Sequence, residues 1–267
     1  MHRRAGHLLL SANRATGLSL NFPPRLTCPK TCPFCYACKR TAKQAAALCK
    51  QYNLPAGSIT ANAGPITWSV QQAAYAENFR LLKSMTSTEI EDEAAYQAGV
   101  LRRRGYDNLR INGCGELFDE SVQLVHALAR RDILAWGFSR LPGRIWEIEA
   151  RAALDHVHVR PFFLGSVDRL TPDSKVVELL EATQALNRTP RTLAYMALPG
   201  ERAADIKAKP FWPHVRVVLG YHSSGVHTII RVGPRECPKT AGRGVTCQEC
   251  RRCRGLSPKC STGAMAA

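Results

Sequence analysis

Short apolar runs typical of β-strands alternate along the chain with longer segments whose apolar residues recur at helical intervals. The predicted strands cover residues 17–21, 108–112, 133–138, 156–162, 192–197 and 215–221. The predicted helices cover residues 42–52, 70–84, 90–104, 119–131, 144–154 and 174–186. Because strands that alternate with helices form parallel sheets with crossover connections, the pattern predicts an α/β fold. Six strands would build a partial (β/α)6-type barrel, with its chemistry at the carboxyl ends of the strands.

The composition divides the chain into a large part and a small one. Residues 1–235 hold all the predicted strands and helices, whereas residues 236–267 are rich in Cys, Lys, Arg and Gly and contain few large apolar residues. A segment of that composition is typical of a small module held together by a metal. We therefore predict a core domain at 1–235 and a cysteine-rich module at 236–267.

The chain carries a formal net charge of +16, which attracts polyanions such as nucleic acid. Its arginines are spread along the chain, so a solvated basic surface is the alternative interpretation. No apolar run approaches the length of a membrane span, and the N-terminus lacks the long apolar segment of a secretory signal. We therefore expect a cytoplasmic protein without a membrane partner.

Most of the eleven cysteines fall into two tight clusters, a spacing that favours metal binding by thiolates over disulfides. In the first cluster, Cys28, Cys32 and Cys35 share one loop that follows the first predicted strand. Three thiolates can each bind one iron of a cubane cluster and leave the fourth iron open to a small molecule. The alternative is a zinc knuckle in which Cys38 is the fourth ligand.

The spacing C-x3-C-x2-C, with the aromatic Phe34 before the last cysteine, resembles the signature of the radical S-adenosylmethionine (SAM) superfamily. The resemblance implies that Cys28, Cys32 and Cys35 bind a [4Fe–4S] cluster, that SAM binds the open iron, and that Phe34 packs near the adenine. It also implies an electron donor such as a flavodoxin or a ferredoxin. In that superfamily SAM is cleaved reductively to a 5′-deoxyadenosyl radical, which abstracts hydrogen from the substrate.

A glycine-rich turn, Gly113-Cys-Gly115-Glu116, follows the predicted strand at 108–112. It is similar to the Gly-Gly-Glu motif that radical SAM proteins carry after their second strand, with a cysteine between the two glycines. The resemblance implies that Gly113, Gly115 and Glu116 bind the amino group of SAM. Ser166 lies where that family places contacts to the ribose and adenine.

The second cysteine cluster comprises Cys237, Cys247, Cys250 and Cys253. The run C-x2-C-x2-C with a remote Cys-Pro resembles the ligand pattern of bacterial ferredoxins, which implies an auxiliary [4Fe–4S] cluster with four protein ligands. A structural zinc site with the same four ligands is the alternative. In either case Cys260 could replace Cys237.

Together these motifs resemble the gene product 88 family of phages and plasmids, which implies a mobile-element setting. Two classes of function follow. The first is a radical SAM enzyme that acts on a nucleic acid, a nucleotide or a peptide. The second is a non-catalytic, basic nucleic-acid-binding protein with two structural zinc sites. On the substrate side of the barrel mouth the sequence offers five candidates, which are Glu116, Arg140, Tyr195, Glu201 and Tyr221.

Overall fold

A computed structural model describes most of the core domain. The described residues are 6–13, 17–28, 66–113, 115–198 and 200–219, with short pieces at 43, 46–47, 50, 222–223, 226–227, 232–235, 237 and 253. The predicted helix at 42–52 lies largely outside these residues.

The chain forms a seven-stranded sheet, a layer of helices and a small hairpin. The strands of the sheet are β1 Ser11–Asn13, β2 Gly17–Leu20, β3 Asn108–Ile111, β4 Leu134–Ser139, β5 Phe162–Val167, β6 Leu193–Met196 and β7 Val215–Leu219. The hairpin is formed by β8 His222–Ser223 and β9 Val226–His227. The helices are α1 Pro24–Thr27, α2 Ile66–Ser84, α3 Ser87–Arg103, α4 Asp119–Ala129, α5 Pro142–Leu154, α6 Asp173–Asn187 and α7 Ala203–Lys207, with a 3-10 turn at Trp212–His214.

Neighbouring strands of the sheet follow one another in chain order from β1 to β7. The first pair is antiparallel, and every pair from β2–β3 to β6–β7 is parallel. Each parallel connection contains at least one helix, so the predicted α/β class is confirmed. Because parallel strands end at the same edge of a sheet, the carboxyl ends of β2 to β7 lie along one edge.

The two faces of the sheet differ in what covers them. On the helix face, fully buried side chains such as Leu109, Phe163 and Tyr195 pack into one core with helix residues such as Val125 and Leu179. The opposite face, called the aromatic face here, is defined by Trp136, Phe138 and Phe162 together with Leu164 and Val217. Side chains alternate between these faces along each strand, as pleated geometry requires.

The predicted strand at 156–162 is wrong. His156 has a left-handed backbone (φ 48°) in a turn, and the strand runs instead from Phe162 to Val167. Gly165 interrupts the apolar pattern of that strand, although the packing demands a glycine there. A Cβ at this position would lie 2.9 Å from the Leu193 side chain and 3.2 Å from that of Leu179. The other predicted strands, and the helices after residue 66, are confirmed with ends that shift by a few residues.

Of the helices in the described ranges, none combines the length and the apolarity needed to cross a bilayer.

Substitution of Gly137 by alanine should destabilise the fold by about 1–3 kcal/mol, because the added methyl group would overlap the Ile111 carbonyl oxygen and press on the Phe163 ring. The matched control is Gly143→Ala in α5, where a Cβ meets no atom within 4 Å. That control should leave stability unchanged or raise it by up to about 1 kcal/mol, because alanine favours helix. Urea unfolding of both variants tests this expectation, and equal stability of Gly137→Ala and the wild type would contradict it.

Candidate functional site

Cys28 lies directly after α1, the single turn of helix that follows β2. The turn is closed by the backbone amides of Leu26 and Thr27, which donate to the Pro23 carbonyl at 3.1 and 3.2 Å. The Thr27 hydroxyl donates to the same carbonyl at 3.1 Å and accepts from the Glu116 amide at 2.8 Å. The residue before Cys28 is therefore bonded to the glycine-rich turn after β3.

The glycines of that turn allow two strand-end loops to lie in direct contact. Gly115 has a φ of +86°, and a Cβ there would lie 2.6 Å from the Phe22 carbonyl oxygen and 2.7 Å from the Thr27 hydroxyl. A Cβ on Gly113 would overlap the Asn21 side-chain oxygen. Only glycine fits such an approach. The structure thus brings Cys28, Gly113 and Gly115 together, while the contact of these glycines with SAM stays a prediction.

The carboxylate of Glu116 is buried and binds backbone on two sides. One oxygen accepts from the Leu117 amide at 3.0 Å, and the other accepts from the Arg140 amide at 2.8 Å. Burial raises the pKa of Glu116, and hydrogen bonds from the Arg140 and Leu117 amides and from Ser139 oppose that rise. In this arrangement Glu116 positions the loop after β4 against the turn after β3.

The next link along the edge joins the loops after β4 and β5. The Arg140 guanidinium donates to the buried Asp168 carboxylate at 2.8 Å. The other Asp168 oxygen accepts from the Leu170 amide at 2.9 Å and from the Thr171 hydroxyl at 3.1 Å. We call Thr27, Glu116, Arg140 and Asp168 the edge network, because together they connect the carboxyl ends of four parallel strands.

Two of the substrate-side candidates are structural. Tyr195 is fully buried on the helix face, and its hydroxyl donates to Glu201 at 2.6 Å. Glu201 also accepts from the Leu198 amide at 2.5 Å, so it closes the loop after β6. Burial and the Glu201 hydrogen bond raise the pKa of Tyr195, which keeps the hydroxyl protonated. The expectation that Tyr195 faces the barrel mouth is wrong for this reason.

Ser166 lies one residue before the end of β5, where it is partly buried beside Ala194 of β6. It shares the aromatic face with Leu164, two residues earlier on the same strand. That position is compatible with the predicted ligand contact but does not test it. Phe34, Cys32, Cys35 and Tyr221 lie outside the described residues.

The apolar pattern of the sequence does not single out two polar residues. Arg110 lies in β3, and Asn112 directly follows that strand. The Arg110 guanidinium carbon lies 5.6 Å from the centre of the Trp136 ring and 5.4 Å from that of Phe138, which places it on the aromatic face. Asn112 is buried with a φ of 58°. The alternation of polar and apolar residues in Asn-Leu-Arg-Ile-Asn at 108–112 is the sequence signal that could have revealed them.

The described cysteines of the second cluster pack on the same aromatic face. Cys237 is buried against Trp136 and Val217, and Cys253 contacts this group as well. The Val218 amide donates to the Arg235 carbonyl at 2.7 Å, and the Cys237 amide donates to the Val218 carbonyl at 3.0 Å. These two hydrogen bonds attach Arg235 and Cys237 to the edge of β7.

Three of the eleven cysteines, Cys28, Cys237 and Cys253, are among the described residues. Within that part of the chain, no three His, Cys, Asp or Glu side chains come close enough together to bind a metal ion. Cys247, Cys250 and Cys260 lie outside it, so both metal sites stay predictions.

A surface groove of about 500 Å³ lies between α3, α4 and α5, on the outside of the helix layer. Its charged side chains pair with one another, as His126 and Arg130 do with Asp155 at 2.6 and 2.9 Å. None of the strand-end residues described above lines this groove.

Parallel strands in chain order, with a cysteine beside a glycine turn at their carboxyl edge, define an α/β protein with a candidate cofactor site at that edge. The chain belongs to the gene product 88 family, whose model matches residues 3–255. The matched region includes every predicted cysteine ligand except the alternative Cys260. No curated protein and no solved structure matches the chain.

Replacement of Thr27 by valine should destabilise the chain by about 1–3 kcal/mol, since it leaves the Glu116 amide without its acceptor at nearly constant volume. Thr27→Ser keeps the hydroxyl and is the matched control. Denaturant unfolding should rank the serine variant above the valine variant, and the reverse order would contradict the role of this hydrogen bond.

The raised pKa of Glu116 predicts a specific pH dependence. The folded chain holds the Glu116 proton more tightly than the unfolded chain, whose carboxyl has its usual pKa of 4.5. The stability that this group contributes is therefore complete below pH 4.5 and is lost as the pH rises through the raised pKa.

Glu116→Gln removes this titration and serves as the comparison. The free energy of unfolding of the wild type minus that of the variant, measured across this pH window, should fall as the pH rises. A wild-type advantage that grows with pH would contradict the direction of the pKa shift.

Proposed function

We propose that this chain is a radical SAM enzyme whose [4Fe–4S] cluster is bound by Cys28, Cys32 and Cys35. The observation that supports this most strongly is the position of Cys28 at the carboxyl end of the first parallel strand, held beside the glycine turn by the Thr27–Glu116 bond of 2.8 Å. The parallel strands β2 to β7 follow one another in chain order, which supports the proposed open (β/α)6 barrel, a fold in which ligands bind at this edge.

The residues present fit such a group in donor chemistry and in placement. Three thiols on one loop supply the ligands that an iron–sulfur cluster requires and leave one iron open. Cys28 is partly exposed at the sheet edge. When bound, the cluster would supply the electron that cleaves SAM to a 5′-deoxyadenosyl radical for hydrogen abstraction from the substrate.

Buried aromatic side chains would fix the position of the residues that lead to Cys28 and exclude water from them. Phe22, which is fully buried after β2, packs edge to face on Phe118 at 4.8 Å, and Phe79 packs on Phe118 at 5.1 Å. This aromatic group lies beneath the loop that leads to Cys28. The edge network fixes the neighbouring strand ends, so a ligand bound at the edge would meet preset positions for Gly113, Gly115 and Ser166.

We further propose an auxiliary [4Fe–4S] cluster bound by Cys237, Cys247, Cys250 and Cys253, with zinc as the competing metal. The packing of Cys237 and Cys253 on one apolar group supports a common site. A flavodoxin or a ferredoxin would supply electrons, and reduced thiols fit a cytoplasmic protein. The net charge of +16 favours a nucleic acid or a nucleotide as substrate.

The test is SAM cleavage by the anaerobically purified, reduced protein, with iron measured in the same samples. We expect the wild type to form 5′-deoxyadenosine and Cys32→Ala to form none, with about four fewer irons per chain. The matched control is Cys49→Ala, which removes a cysteine outside both clusters and should leave both readouts unchanged. Cys250→Ala should retain SAM cleavage and lose stability or turnover of substrate.

Full SAM cleavage by Cys32→Ala would overturn the assignment. Zinc without iron in the wild type would overturn it as well, and would favour a basic nucleic-acid-binding protein with structural zinc sites.

A further inference from the structure

We propose that Arg110 and Asn112 are substrate-binding residues that recognise a phosphate-bearing nucleotide unit, with the phosphate at Arg110 and the edge of the base at Asn112. The inference rests on the proposed function, because it names the substrate class for the same sheet edge. Nucleotide binding by these two residues would not require a bound metal, so the two proposals can be tested separately.

The Arg110 guanidinium packs against two aromatic rings, and its charge is not paired within the described part of the chain. It is stacked over the Trp136 and Phe138 rings, and its Nε is buried without a hydrogen-bond partner in the part of the chain that the structure describes. Among the described residues, no carboxylate forms an ion pair with it. A buried donor of a charged group is costly to leave unpaired, and the ring contacts offset only part of that cost.

Asn112 shows the same feature independently. It is 4% exposed, and the nitrogen and the oxygen of its side-chain amide both lack a hydrogen-bond partner among the described residues. Its own backbone amide continues the sheet by donating to the Leu20 carbonyl at 3.0 Å. The backbone of Asn112 is therefore part of the sheet hydrogen bonding, while the donor and the acceptor of its side chain are not used by the described part of the chain.

Two buried side chains with unpaired polar atoms lower the stability of the fold. Their presence indicates a ligand that supplies the missing hydrogen-bond partners. The planar guanidinium fork matches the oxygens of a phosphate or a carboxylate. The amide of an asparagine offers one donor and one acceptor to a nucleobase edge. The two residues stand two positions apart, about 7 Å along the chain. That spacing suits the phosphate and the base of one nucleotide, and the net charge of +16 favours a phosphate over a peptide carboxylate.

The position agrees with a role at the candidate site. Arg110 lies opposite Ser19 of β2, the strand that leads to Cys28, and Asn112 immediately precedes Gly113 of the glycine turn. A substrate bound there would lie beside the edge at which the Cys28 loop begins.

Isothermal titration of the full-length protein with nucleoside 5′-monophosphates tests the proposal. Ribose 5-phosphate, the unphosphorylated nucleosides and a short peptide carboxylate are the comparison ligands. We expect binding that requires the phosphate and that weakens about 10- to 100-fold in Arg110→Met, the loss of one charged hydrogen-bonding group. Arg216→Met is the matched control, because Arg216 is another strand arginine stacked on a ring, at 5.3 Å from the centre of Phe162. It should bind as the wild type does.

Asn112→Gly keeps a residue that tolerates the positive φ and removes the amide. It should bind all nucleotides with equal affinity if Asn112 reads the base. Thermal unfolding should show that neither Arg110→Met nor Asn112→Gly melts below the wild type, because each removes unpaired buried polar atoms. A purely structural pair would lower the midpoint instead.

The proposal is overturned by binding that does not need the phosphate, by unchanged binding in Arg110→Met, or by a lowered melting midpoint in both variants. Preference for the peptide carboxylate, or Arg110-dependent binding of SAM in place of nucleotides, would overturn it too. Nucleotide binding in a protein that lacks iron and does not cleave SAM would keep this inference and reject the proposed function. SAM cleavage without nucleotide binding would do the opposite.

Discussion

A single buried carboxylate holds the carboxyl edge of this sheet together. Glu116 accepts backbone hydrogen bonds from Leu117 and Arg140, and its own amide donates to Thr27, so it links the ends of β2, β3 and β4. The cost of burying that carboxylate appears as its raised pKa. Because Thr27 precedes Cys28, the position of the first predicted metal ligand depends on the same residue.

The aromatic face carries residues from β3 and from the C-terminal segment of the chain. Arg110 lies on its β3 side, and its β7 side is apolar and covered by Cys237 and Cys253. The described cysteines Cys237 and Cys253 therefore pack against the core domain on the face that Arg110 also occupies. Their predicted metal-binding role is separate from this packing.

Apolar periodicity predicted the α/β class and most elements, because most strands are short and largely apolar and the helices bury one face. It misplaced β5, because Gly165 interrupts the apolar run of that strand. The reason for the glycine is visible only in the fold, where a Cβ at this position would press on the side chains of Leu193 and Leu179. Motif spacing singled out Glu116 as a predicted SAM contact, which stays a prediction. The two backbone hydrogen bonds to its carboxylate are visible only in the fold. Arg110 and Asn112 escaped notice because their meaning depends on which partners are missing, and a sequence does not show that.

The central claim is that Cys28, Cys32 and Cys35 hold a cluster with one open iron. The most direct measurement is electron paramagnetic resonance of the anaerobically purified, reduced protein, recorded with and without SAM. The proposed function predicts a [4Fe–4S] signal that changes when SAM is added. A cluster signal that SAM leaves unchanged, or a protein that holds zinc and gives no signal, would contradict it.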